Sequence, residues 1–198
     1  MKNSKSDRRS ERTRRSLEDA LVALFLEKRY TDISVQDILD RANVGRSTFY
    51  EHYWDKDDLL GSELERMVDL LSGHTFTAAP TVPALIPALA LFRHVQDQQH
   101  LYQALLRGRG LEICVQTLQL KLSILVEERL CNLFSGYTQD EQLIAATASC
   151  VAGAFMALLQ WWLSTDMALE PERLDALYQQ LMVSGIGGLR QQAPEVEP

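Results

Sequence analysis

Residues 34–53 read SVQDILDRANVGRSTFYEHY and hold two short helical patterns separated by a tight turn. Val35, Ile38, Leu39 and Ala42 recur at helical spacing and make one apolar stripe. Ser34 and Asp37 stand at capping-box spacing, so the first helix is expected to start at Val35. Asn43 follows, and Asn tolerates the left-handed backbone of a tight turn better than any residue except Gly. Val44 can plug the corner, and Gly45 suits the N-cap of a second helix. There Phe49 and Tyr53, four apart, face inward. Arg46, Ser47, Thr48, Tyr50 and His52 are left to the edge and the open side. Hydroxyls and a guanidinium on a short exposed helix match phosphates and base edges. The segment reads as a helix-turn-helix with the second helix as the reading head.

The flanks agree. One helix is expected from Arg9 to Lys28, with Leu17, Leu21, Leu24, Phe25 and Val22 on its core face. Tyr30 reads as a lid on the small core. Asp55 can cap a fourth helix from Lys56 toward Ser72, whose inner face is Leu60, Leu64, Met67, Val68 and Leu71, with Gly73 closing it.

Residues Thr13 to Leu60 resemble the DNA-binding domain of TetR-family transcriptional regulators. The likeness rests on Tyr30-Thr31, Ser34-Val35, Ile38, Ala42-Asn43-Val44, Ser47-Thr48-Phe49-Tyr50, His52-Tyr53, Lys56 and Leu59-Leu60. Two positions depart from the pattern: Asn43 replaces the usual turn Gly, and Leu39 stands where Ala is usual, which alters the packing between the two helices. The resemblance implies an all-α fold. An N-terminal three-helix head, residues 1–60, is joined by a fourth helix to a helical ligand-binding and dimerisation body, residues 61–198. Within the head, residues 1–8 read as a disordered basic arm.

The expected DNA contacts are Arg14, Arg15, Ser34, Gln36, Arg46, Ser47, Thr48, Tyr50, His52 and Lys56. Arg46 is the candidate for direct base reading, because a guanidinium can grip guanine in the major groove. Ser47 and Thr48 can touch a thymine methyl or a phosphate. Gln36 can meet the backbone or a base. Arg14 and Arg15 can reach phosphates. Tyr50, His52 and Lys56 resemble the family's phosphate-binding positions.

The chain has 198 residues, enough for a small head and a larger body, and a net charge of −7. That balance argues against nonspecific coating of nucleic acid. The charge is uneven, however: residues 1–16 carry seven basic and two acidic side chains, and the rest is acidic. A basic start ahead of an acidic body suits a local DNA contact. No apolar run is read as long enough to span a bilayer, and the first 15 residues lack the core of a signal peptide. The expected location is the cytoplasm, at the bacterial nucleoid, with no membrane partner.

Cys114, Cys131 and Cys150 are odd in number and widely spaced, which fits neither a zinc site nor a disulfide framework. Buried small hydrophobes are the expected role, with an effector-reactive thiol as the alternative. His52, His74, His94 and His100 have no metal-ligand spacing. Gly108-Arg109-Gly110 has no preceding strand and no Walker spacing, and reads as a turn. There is no nucleophile elbow. No metal, no cofactor and no enzymatic activity are expected.

The body reads as all-helical. Thr81 and Pro83 fit a helix start, and Pro87 either lies in the first turn or kinks the helix. Further helices are expected over Gln99–Leu106, Leu111–Phe134, from Thr138 and Glu141 to Ser164, and from Glu170-Pro171 onward to a polar tail at Gln191. The second of these has a core stripe of Leu118, Leu122, Leu125, Val126 and Leu133. The helix ending at Ser164 is rich in small residues, which let a partner approach closely.

One head reads few base pairs, so a homodimer on a palindromic operator in double-stranded DNA is expected. The last two helices would carry its interface: Ala152, Phe155, Leu159, Trp162, Leu174, Tyr178 and Leu181. The same residues could instead fill the subunit's own core. The resemblance also implies a pocket for a small-molecule effector. Candidate lining residues are His74, Phe76, Phe92, His94, Tyr102, Cys114, Met156 and Trp161. The expected function is ligand-responsive repression. The competing reading is a helical co-regulator that keeps the head's shape but acts through a protein partner.

Overall fold

The computed structural model describes residues 3–73, 84–106, 110–133 and 140–192. Among these, nine α-helices and one 3₁₀ turn make up the regular structure, without a strand. The helices are α1 (Asn3–Glu27), α2 (Val35–Ala42), α3 (Arg46–Tyr50), α4 (Lys56–Gly73) and α5 (Ala88–Asp97). After them come α6 (Gln99–Leu106), α7 (Gly110–Leu133), α8 (Glu141–Ser164) and α9 (Pro171–Gln192). The all-α class expected from the sequence is the class observed. The chain divides into two compact units, Met1–Arg66 with Gln98–Val115, and Met67–Asp97 with Gln116–Pro198.

In the first unit, α1 begins at Asn3, inside the stretch that reads as a disordered arm, and six residues ahead of the expected start. Leu17, Leu21, Leu24 and Phe25 are buried on one face, and α2 and α6 pack with α1. A cut at residue 60 does not foresee α6 here, because nothing in the order of the chain ties it to the head. Burying each such large side chain stabilises by at most about 1.5–3 kcal/mol. After α1 the chain turns through Tyr30–Asp32, with Tyr30 stacked on Phe25 at 5.4 Å.

The local rules at α2 hold as read. Ser34 is the N-cap: its Oγ accepts from the Asp37 amide at 3.2 Å, and the Asp37 carboxylate accepts from the Ser34 amide at 2.7 Å. Lys28 adds an ion pair to Asp37 at 2.8 Å. Together they hold the Asp37 carboxyl well below the usual carboxylate range, Lys28 first and Ser34 second. Asn43 closes α2 in the left-handed region at φ 52°, and Gly45 opens α3 from extended backbone. At the start of α4, Asp55 Oδ1 accepts from the amides of Asp57 and Asp58 at 2.8 and 2.9 Å, the cap its position predicts.

In the second unit, α5 packs on α9, and an Arg93–Glu172 ion pair of 2.7 Å joins them. Pro87 lies just before α5 and accepts from the Leu91 amide, so it introduces the helix without kinking it. Thr81 and Pro83 lie outside the described residues. The core is aromatic: Phe92 meets Phe155 at 5.1 Å and Trp162 edge-on at 5.5 Å, and Phe155 meets Tyr178 at 5.7 Å. Two polar side chains that enter it find backbone acceptors. Tyr178 Oη donates to the Val151 carbonyl at 3.0 Å, and Trp162 Nε1 to the Leu169 carbonyl at 2.8 Å.

Three details depart from the sequence reading. The cap of α8 is Asp140, whose side chain accepts from the Gln142 amide, while Thr138 lies outside the described residues. Leu130, not Leu133, completes the buried stripe of α7 with Leu118, Leu122 and Val126, keeping the four-residue step. And α8 is, by length and composition, apolar enough to cross a membrane, with a mean hydropathy of 1.8 over its best window. Its inner face is packed within the second unit, where Val151, Ala152, Phe155, Met156, Leu159 and Trp162 are buried.

Candidate nucleic-acid interface

The reading helix α3 is only five residues long, so its aim is set by what anchors it. Phe49 is wholly buried and Tyr53 nearly so, 5.8 Å apart between ring centres. These two side chains turn the opposite side of the segment outward. Arg46, Ser47 and Tyr50 are exposed, and Thr48 and His52 are half-buried at the edge. The Tyr50 ring rests edge-on against Phe49 at 5.3 Å, which fixes one end of it while more than half stays in solvent.

Arg46 is tied to α2. Its Nη2 donates to Gln36 Oε1 at 3.4 Å, and Gln36 Nε2 donates to Asp40 Oδ1 at 2.8 Å. Gln36 and Arg46 are thus brought together on the outer side of the two helices. The remaining predicted contacts are placed separately. Arg14 and Arg15 are exposed on α1, with Arg15 paired to Glu11 at 3.2 Å. The Ser34 hydroxyl is engaged in its own cap, donating to Asp37 Oδ2 at 2.6 Å. His52 lies beside Tyr53 with ring centres 6.2 Å apart.

Lys56 is placed differently from what its phosphate-binding reading expects. Its ammonium donates to the Tyr30 carbonyl at 2.8 Å and to the Ile33 carbonyl at 2.7 Å, and it stands over the Tyr30 ring. The Tyr30 hydroxyl in turn donates to Asp57. Burial and that carboxylate raise the Tyr30 phenol above its ordinary range, so it stays a donor.

Two residues of this surface are missing from the sequence reading. Asp40 orients Gln36, and its i, i+4 spacing from Gln36 is a signal that was there to use. Trp54 is 88% exposed between α3 and α4, where a bulky apolar residue reads by default as core.

The proposed effector-lining residues are divided between the units. Tyr102 and Cys114 belong to the first, and Phe92, His94, Met156 and Trp161 to the second. Phe92 and Met156 are core residues, Trp161 is exposed, and His94 is half-buried. Burial pushes the Cys114 thiol up to about 12, which keeps it protonated and poorly nucleophilic. Cys131 and Cys150 are exposed, contrary to the expected burial. His74 and Phe76 lie outside the described residues.

The proposed dimer face also needs correction. Ala152, Phe155, Leu159, Trp162, Leu174 and Tyr178 are all buried within the second unit itself, and of the seven only Leu181 is exposed. Both sides of α8 are apolar, so the pattern alone points either side inward. Among the described residues, the large apolar side chains left open are Leu143 and Trp161 on α8 and Leu177 and Leu181 on α9, with Ala145, Ala146, Ala157 and Ala176 exposed beside them.

Known proteins share these features. The family described as "Bacterial regulatory proteins, tetR family" matches residues 17–62, and "Transcriptional regulator C-terminal region" matches residues 87–184. An uncharacterized HTH-type transcriptional regulator, YxbF of Bacillus subtilis (strain 168), is 37% identical over 76 residues. That stretch is 37% of this chain, and the chain spans 20% of that relative's length. The crystal structure of a TetR transcriptional regulator from Streptococcus agalactiae 2603V is 26% identical with a TM-score of 0.53. It covers 89% of this chain and 97% of its own. The dihydroxyacetone kinase operon activator DhaS is 20% identical with a TM-score of 0.58, over 88% of this chain and 96% of its own, a likeness of fold. The family and these neighbours are transcriptional regulators rather than enzymes. With the helix-turn-helix at its N-terminal end and a helical body after it, the chain belongs to the TetR family of transcriptional regulators.

Proposed function

We propose that the protein is a ligand-responsive repressor that binds a palindromic operator as a homodimer in the cytoplasm and is released by a small molecule. The observation that carries this reading is the aim of α3. Buried Phe49 and Tyr53 on one side leave Arg46, Ser47 and Tyr50 exposed on the other. A guanidinium, a hydroxyl and a phenol on the exposed side of a short helix suit the major groove and its phosphates. Homodimerisation is supported by the apolar residues left open on α8 and α9, among them Trp161 and Leu181. An effector that binds one spacing of the two heads better than the other would shift operator occupancy by about 5- to 150-fold.

The test starts from selection of a random-core duplex library, followed by titration of the enriched duplex at several salt concentrations. A palindromic sequence with strongly salt-dependent affinity is expected. Arg46→Ala should cost about 1–3 kcal/mol of binding and relax preference at one base pair in each half-site. A reporter behind the selected sequence should rise when the gene is deleted. Failure to enrich any sequence would remove the operator reading, and a reporter that falls would make the protein an activator.

A further inference from the structure

Gln36 lies between two groups of opposite hydrogen-bonding character. On one side stands the Asp40 carboxylate, 2.8 Å from Gln36 Nε2. On the other stands the Arg46 guanidinium, 3.4 Å from Gln36 Oε1. An ionised carboxylate only accepts, and a guanidinium only donates. The side-chain amide therefore has one favourable orientation, since turning it over would set oxygen against oxygen and nitrogen against nitrogen. Asp40 thus decides which way the amide faces, and the amide carbonyl holds one arm of Arg46. Asp40 and Gln36 lie four apart on α2, one turn, and Arg46 opens α3. The chain of contacts crosses the helix-turn-helix on its outer side, and all three side chains are exposed.

We infer that Asp40 is a positioning residue for sequence reading: through Gln36 it presets the Arg46 guanidinium, so the three residues act as one unit with Arg46 as its base-contacting end. The inference rests on the operator reading given above and deepens it. A long arginine that is already held on one side loses less freedom when it docks, and a fixed fork discriminates better between guanine and other bases. Gln36 is then a buttress whose removal is felt at the base pair that Arg46 reads.

Asp40 also carries a negative charge on a surface that would approach phosphates. Removing it by Asp40→Ala should leave binding to unrelated duplex unchanged or slightly tighter. The same substitution should weaken discrimination. That opposition is what separates positioning from a structural role, because a loosened fold would weaken every duplex alike.

The experiment uses the full chain and the duplex enriched from the random library. Dissociation constants are measured for that duplex and for copies changed at the base pair where Arg46→Ala loses its preference. For Asp40→Ala and for Gln36→Ala, the ratio between the two duplexes should fall about two- to fivefold, the size of one modest hydrogen bond. Added to Arg46→Ala, neither should lower the ratio further. Asp40→Glu keeps an acceptor-only group at the same spacing and should restore most of the ratio. Full discrimination in Asp40→Ala, or an equal loss on all duplexes with a lowered melting temperature, would overturn the inference and leave the operator reading standing. Loss of preference at a different base pair in Gln36→Ala would overturn it too, making Gln36 an independent reader. If no duplex is enriched, the operator reading itself fails.

Discussion

The ammonium of Lys56 stands 4.4 Å from the centre of the Tyr30 ring and donates to the carbonyls of Tyr30 and Ile33, at 2.8 and 2.7 Å. One side chain at the first position of α4 therefore closes the loop that leads into α2. The Tyr30 carbonyl also accepts from the Ile33 amide at 3.2 Å within the 3₁₀ turn, so the loss of Lys56 falls on the Ile33 carbonyl, and a partly buried carbonyl left without a donor costs about 1–3 kcal/mol. Lys56→Met should lower the melting temperature of the protein by several degrees. The slope of log affinity against log salt should stay near the wild-type value. A slope reduced by about one, with unchanged melting, would return Lys56 to the phosphate contacts.

A second prediction concerns pH. Glu18 of α1 is buried and shares the Arg66 guanidinium with Glu63, at 2.9 and 2.7 Å. Burial first, and then the charge of Glu63, push Glu18 up from 4.5 to about 7, against the pull of Arg66. The folded protein then holds a proton on Glu18 that the unfolded chain has released between those values. Stability from this group is full below about 4.5 and is lost as pH rises through about 7, amounting to roughly 1–3 kcal/mol. Denaturant titrations at pH 5.5 and pH 8 should show that fall, and Glu18→Gln should flatten it. A wild-type stability that rises over this interval while Glu18→Gln is unchanged would contradict the assignment.

Asn43 offers a backbone test. Its φ of 52° places it in the left-handed region between α2 and α3. A residue with a Cβ and no polar side chain pays about 1–2 kcal/mol there, and glycine pays none. Asn43→Ala should destabilise by about 1 kcal/mol, and Asn43→Gly should be neutral or slightly stabilising. Calorimetry of the two variants decides it; equal melting temperatures would show that the turn can relax.

The open apolar residues of α8 and α9 predict how the dimer breaks. Trp161→Glu combined with Leu181→Glu changes two exposed side chains, so folding should survive while light scattering reports a monomer. Operator affinity should fall with it, since each half-site is then read alone. Phe155→Ala should do the reverse. It opens the aromatic core beside Phe92 and Tyr178, costs about 3–5 kcal/mol of stability, and leaves the surviving folded protein dimeric. A dimer that persists in the double variant would move the interface elsewhere.

Reading residues in order was enough for the helix-turn-helix, and the reason is range. The Ser34–Asp37 cap, the left-handed Asn43, the Gly45 start and the Phe49–Tyr53 pair each join residues at most four apart, so local backbone chemistry decides them. Elsewhere the deciding partner is distant. Lys56 is 26 residues from the Tyr30 carbonyl it holds, and Glu18 is 48 from Arg66. No spacing rule reaches that far, so Lys56 reads as a phosphate contact and Glu18 as a solvated acid until the chain is folded. The burial of six of the seven expected dimer-face residues was hidden from the sequence for another reason. A helix such as α8 that is apolar nearly all round has no polar side to set its phase, and only its packing in the second unit shows that Phe155 and Trp162 point in while Trp161 and Ala157 point out. What the sequence determined by itself was the family, the class of fold and the face of the reading helix, all carried by short-range geometry. Which charges pair, and which of two apolar faces is buried, was decided only by the tertiary structure, because both depend on what the rest of the chain brings alongside.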